Sequence, residues 1–227
     1  MKSKLFIHIP KNGGLTIRKS PLLVGQIILA NPQNHKSPKY TSDLHKVMAA
    51  TKDHAGNEHA RWRDVRQDIT SNLTSFAIIR NPWDRVVSRY FFAKKVMEVE
   101  KVVPTSYADV SSFEAFLEER HKWGDKEFMW HRAVRGWYPA VDHVTDEYGK
   151  LRCDMLSFEN YNQDVCDYFG LDKMSKARNV TALNNGSYQD VYTPKTIQTV
   201  ADWYKADIDM FGYDFGSGPM KNTWRLK

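Results

Sequence analysis

The chain has 227 residues, 41% of them hydrophobic, enough for one domain with a sizeable core and too few for a comfortable second one. Its formal charge of +6 favours anionic partners such as nucleotides, acidic or sulfated glycans, nucleic acid or anionic lipid. No apolar run reaches the roughly 20 residues of a membrane span, the start lacks a signal-peptide pattern, and Cys153 and Cys166 form no CxxC pair and no metal spacing. The expectation is a cytoplasmic protein with no membrane segment, no metal and free thiols.

Leu5 to Ile9 is a short apolar run stopped by Pro10 and followed by Asn12-Gly13-Gly14, the pattern of a buried strand entering a tight loop. Thr16 opens a helix that Pro21 restarts or kinks, and Asn31 to Pro38 reads as loop. From His59 to Ile69, Trp62, Val65 and Ile69 recur at helical spacing, which predicts an amphipathic helix. Ser75 to Ile79 is the second clear buried strand, and Trp83 to Met97 is a helix with Pro82 near its start. A further helix covers Ser112 to Glu119.

Val141 to Val144 and Leu151 to Leu156 flank Asp146-Glu147-Tyr148-Gly149, which predicts a hairpin or two neighbouring strands. A helix from Glu159 to Phe169 stops near Gly170. Thr193-Pro194 then caps a long helix running to about Met210. Strands alternating with helices, with no repeat and no linker, predict an α/β, P-loop-like domain over residues 1–227, its central sheet mainly parallel and flanked by helices.

The segment Pro10-Lys11-Asn12-Gly13-Gly14-Leu15-Thr16 carries phosphate-binding equipment. Glycines let backbone amides approach an anion, and a helix start offers free N–H groups and a favourable dipole. Lys11 adds a full charge and Thr16 a hydroxyl. The pattern is not a Walker loop, because its lysine precedes the glycines. Arg80 repeats the logic at the end of the second strand, where open α/β sheets place ligand-binding residues. Ser88 lies two helical turns further on, and a guanidinium fork with a hydroxyl suits a phosphate monoester. Arg85 and Arg89, four apart, either support the site or form a solvated face, and the spacing favours the solvated face.

Both segments resemble motifs of the sulfotransferase-2 family. Pro10 to Thr16 is similar to its 5′-phosphosulfate loop, PKTGGT[ST], and Arg80 to Tyr90 matches its 3′-phosphate motif, RxPxxRxxSxY, at every fixed position. Weaker likenesses are His59 to Arg66, Leu156-Ser157-Phe158-Glu159-Asn160, and Leu183 to Ser187 with the terminal helix. Asn12, Leu15 and Ala182 depart from the family pattern.

The resemblance implies a sulfotransferase that moves a sulfuryl group from 3′-phosphoadenosine-5′-phosphosulfate (PAPS) to a hydroxyl, on a carbohydrate or other small molecule. Lys11, Asn12, Gly13, Gly14, Leu15 and Thr16 would then hold the phosphosulfate, and Arg80 and Ser88 the 3′-phosphate. Lys11 would also neutralise the leaving oxygen. Of eight histidines, His59 occupies the position that matches the family's general base, with His54 and His45 as alternatives in the same stretch. Competing readings are a P-loop nucleotide kinase and a non-catalytic module that binds PAPS or a polyanion. No interleaved basic–aromatic motif speaks for nucleic acid.

Overall fold

The computed structural model describes residues 3–51, 56–99, 108–174 and 186–226. Four short strands, β1 (Lys4–Ile7), β2 (Ile27–Leu29), β3 (Ser75–Ile79) and β4 (Asp154–Ser157), form one all-parallel sheet in the order β2-β1-β3-β4. The register places Phe6 beside Phe76 and Ile78 beside Leu156. Both faces of such a sheet must be covered, so its strands read as unbroken apolar runs.

Because side chains alternate along a strand, the faces divide cleanly. Leu5, Ile7, Ala77, Ile79 and Met155 pack on one side against Trp83, Val86, Val87 and Tyr90 of α4 (Pro82–Val99), with Tyr204 and Phe211 behind. Phe6, Phe76, Ile78 and Leu156 pack on the other against Ile17 of α1 (Gly14–Arg18) and Val165 and Phe169 of α7 (Tyr161–Phe169). This is the α/β architecture the alternation of elements predicts.

The strand order sets the site. The chain leaves β1 for β2 on one side and returns to β3 on the other, so the carboxyl ends of β1 and β3 flank a topological switch point. Crevices at such points are where open α/β sheets bind ligands. Each of the two sequence motifs begins at one of these two strand ends.

Other elements fill the frame: α2 (Pro38–Thr51), α3 (Gln67–Asn72), α5 (Phe113–Trp123), α6 (Ala140–Val144), α8 (Pro194–Trp203) and α9 (Lys205–Phe211). Ser112 caps α5 through a bond from the Ala115 amide, and Thr193 caps α8. No helix among the described residues is long and apolar enough to cross a membrane.

Three sequence expectations are corrected. The hairpin around Asp146 is a helix, a turn and a strand: α6 replaces the first arm, β4 pairs in parallel with β3, and only a single Thr145–Leu151 bridge joins the arms. The Asp207 carboxylate explains α6, because it accepts from the amides of Ala140 and Val141, both at 2.8 Å, and so caps the helix from a distant part of the chain. The helix expected over His59 to Ile69 is a short 3₁₀ turn at Trp62–Asp64 followed by α3. Val65 is drawn into a bridge with His35, and the buried Asp64 carboxylate gathers Arg61, Lys36 and Tyr40. The terminal helix breaks at Tyr204, whose hydroxyl accepts from Arg89. β2 and α2 were not foreseen at all.

Candidate active site

The glycine loop folds around two left-handed residues, Lys11 (φ 69°) and Gly13 (φ 77°). A non-glycine residue at positive φ is strained and is held only where its surroundings insist. Here the Lys11 carbonyl accepts from Arg80 Nη1 at 2.8 Å, and its ammonium lies 3.9 Å over the Phe92 ring. Gly14 is required by packing, since a Cβ there would sit 2.0 Å from His8 Cδ2. A Cβ on Gly13 would press on Phe158 and Tyr161 at 3.0 Å.

The loop's side chains divide into ligand candidates and scaffold. Asn12 is buried, and its Nδ2 donates to the Ile78 carbonyl at 2.7 Å, so it ties the loop to β3. Thr16 is also buried and engages the Tyr161 hydroxyl, which donates to Gly13 O at 3.1 Å. What remains toward the crevice is the Lys11 ammonium and the first-turn amides of α1 at Gly14 and Leu15, which no preceding turn can satisfy.

Arg80 joins the two motifs. Its Nε and Nη2 donate to Asp84 at 2.7 Å each, its Nη1 to Lys11 O, and its plane stacks 4.0 Å over Phe158. A guanidinium has five N–H groups, so two are not used in these bonds among the described residues. Asp84, Ser88 and Phe92 recur every four residues along α4, and Arg80 and Lys11 bind the two ends of that row. Ser88, between them, is buried. The segment from Ser157 to Asn160 supports this arrangement: Phe158 stacks on Arg80, and Glu159 Oε1 accepts from the Asn81 amide at 2.7 Å.

Arg85 and Arg89 do not form a solvated face. They are 1% and 0% exposed. Arg85 donates to the carbonyls of Pro10 and Tyr138, and Arg89 lies 4.9 Å over Trp137. Burial and these cations act on one another: desolvation, then Arg80, Arg89 and Lys95, push Lys11 down to about 7. Burial likewise pushes Arg85 down to about 10.

His59 is buried beside the end of β1, and its Nδ1 pairs with the His8 carbonyl at 2.7 Å. A carbonyl only accepts, so Nδ1 carries the proton and Nε2 is left with the lone pair, the tautomer a base needs. Burial lowers its pKa, while Glu58 and the His8 carbonyl oppose that, and Arg18 and Arg85 add to it. Of the alternatives, His45 is exposed on α2, and His54 lies outside the described residues. So do Ala182 to Asn185 of the closing segment. One oxygen of Glu58 and a nitrogen of His8 and of His59 lie within 4.8 Å of one another. The charge against Glu58 is the Arg18 guanidinium, so this group is not assigned as a metal site.

Sequence reasoning missed His8, Tyr161, Phe158 and Asp84 as parts of the site. Asp84 is visible as an acid four residues after Arg80; Phe158 lies within, and Tyr161 directly after, the Leu156-to-Asn160 segment already singled out. Arg63 and Arg66, in the segment after His59, are engaged with Asp142 and Asp68. An open cleft of about 910 Å³ runs beside α2, lined by Gln33, Ser37, Thr41, His45, Lys46 and Arg66.

A glycine loop, a half-buried lysine and a forked arginine thus meet at the switch point of a parallel sheet, an α/β frame with groups suited to an anion. The chain belongs to the sulfotransferase family, whose model matches residues 4–214. It is therefore a transferase of sulfuryl groups. No curated protein matches it significantly. A solved structure, that of a sulfotransferase from Alicyclobacillus acidocaldarius, is 16% identical, with 92% of this chain and 94% of that one covered and a TM-score of 0.44.

Proposed function

We propose that this protein transfers the sulfuryl group of PAPS to an acceptor hydroxyl, on a carbohydrate, with His59 as general base and Lys11 as the charge that receives the leaving phosphate. The observation that carries the reading is the bond from Arg80 to the Lys11 carbonyl. It brings together two anion motifs that lie 69 residues apart in the chain. The carbohydrate acceptor rests on the motif likeness.

Bound PAPS supplies the sulfuryl group: the acceptor oxygen forms a new S–O bond as the bond to the 5′-phosphate breaks and its electron pair stays on that phosphate. His59 takes the acceptor's proton on Nε2 while its Nδ1–H stays on the His8 carbonyl. Lys11 and the first amides of α1 neutralise charge at the leaving oxygen. Positioning and electrostatics supply most of the acceleration in such in-line transfers. Arg80 and Ser88 hold the 3′-phosphate and so fix the donor's register.

The test is to incubate the protein with isotope-labelled PAPS and a panel of acceptors and to look for transferred sulfate by mass. Sulfated sugar together with 3′,5′-bisphosphoadenosine is the expected outcome. Binding without transfer to any acceptor would reduce the protein to a PAPS-binding module.

A further inference from the structure

Among the described residues, one carboxylate faces the proposed base. Glu58 is ion-paired to Arg18 at the end of α1, and its Oε1 lies 3.9 Å from His8 Nδ1. That nitrogen is buried and has no hydrogen-bond partner among the described residues. The rings of His8 and His59 are 4.2 Å apart and tilted at 59°, so Glu58 lies against a pair of imidazoles. The charged and titratable groups around His59 are Glu58 from its own loop, His8 from the end of β1, Arg18 from α1 and Arg85 from α4. His131 and His143 lie beyond. Among the described residues of this group, Glu58 is the only anion.

This matters at the moment of transfer. His59 turns from neutral to cationic in a buried position that already faces two arginines. Burial disfavours that charge, and like charges add to the penalty. We propose that Glu58 is a positioning residue for the reaction: its carboxylate, held by Arg18, offsets the charge that His59 acquires when it takes the acceptor's proton. Arg18 sets how much of that negative charge reaches the imidazole. The inference rests on His59 as base, and the proton balance is that of the step above, with no further group gaining or losing a proton.

The two members of the ion pair act in opposite directions, and this separates the proposal from a scaffold role. A charge within ~4–6 Å moves a pKa by about 1–3 units, and Arg18 holds Glu58 toward the lower end of that range. The experiment follows kcat against pH in the wild type, Glu58→Gln and Arg18→Gln, together with the NMR titration of the labelled His59 ring. Glu58→Gln is expected to move the His59 midpoint down by about one pH unit and to lower kcat roughly tenfold, with KM for PAPS within about twofold of native. Arg18→Gln is expected to move the midpoint up.

A loosened scaffold would not produce shifts of opposite sign. An unmoved His59 midpoint in Glu58→Gln, or shifts in the same direction in both variants, overturns the role of Glu58. If the midpoints move as expected while the kcat profile ignores them, His59 is not the base, and the proposal falls with that reading. Arg18 is partly exposed, so Arg18→Gln keeps the test open if Glu58→Gln does not fold.

Discussion

Consider the pH dependence that Lys11 imposes. Its ammonium must be charged to meet the leaving phosphate, yet burial and the neighbouring Arg80, Arg89 and Lys95 hold it at about 7, well below an ordinary lysine. The sign follows directly: a base whose pKa is depressed keeps its proton below that pKa and loses it above. In the free enzyme, at pH 8, roughly one molecule in ten would carry the charge, and the fraction falls about tenfold for each further pH unit. The parameter kcat/KM for PAPS reports the free enzyme, so it should decline above pH 7. The limb in kcat should lie higher, because the bound phosphosulfate favours the ammonium. Lys11→Arg replaces the titrating group with a guanidinium that stays charged, and should remove the alkaline limb even if its rate at pH 7 is lower. Lys11→Ala should lose roughly 10²–10³ in rate at every pH. The assay is sulfate transfer between pH 5.5 and 9 under subsaturating PAPS. A wild-type profile flat to pH 9, or a Lys11→Arg profile with the same descending limb, would refute the reasoning.

Further outcomes can be checked with the same material. His59→Ala should lower turnover by roughly 10²–10⁴ with PAPS affinity near native, and the wild-type acid limb should lie below pH 6.5, because burial lowers this imidazole. Arg80→Ala should erase most of the preference for PAPS over its 3′-dephosphorylated analogue in calorimetry; an unchanged preference would place the 3′-phosphate elsewhere. Gly14→Ala puts a methyl 2.0 Å from the buried His8 ring. A cost of about 1–3 kcal/mol in denaturant unfolding is expected for such overpacking, and native stability would show that the loop can yield.

How much of this was legible beforehand divides along a physical line. Runs such as Leu5 to Ile9 and Ser75 to Ile79 announce buried parallel strands because both of their faces are covered, and a glycine loop after one and Arg80 after the other mark the candidate site. Periodicity, caps and breakers act within a few residues, so α4 and α7 are legible to within two residues at each end, and α5 at its capped start though not at its end, which runs on to Trp123. The motifs also single out Lys11, Arg80, Ser88 and His59 as candidates. What depended on partners far along the chain was not legible. Asp207 caps α6 and turns an apparent strand into a helix. Asp64 and His35 unwind the segment after His59. Arg85 and Arg89 look like a surface pair by spacing, yet they are buried against the Pro10 and Tyr138 carbonyls, Tyr204 and Trp137. Asn12 stands where the family pattern has a ligand hydroxyl, and only its bond to Ile78 reveals it as a tie between the loop and β3. Residue type and local spacing determine which chemistry the chain can offer. Strand order and long-range burial decide which groups meet, because the charges and hydrogen bonds that settle those choices join residues that the sequence keeps far apart.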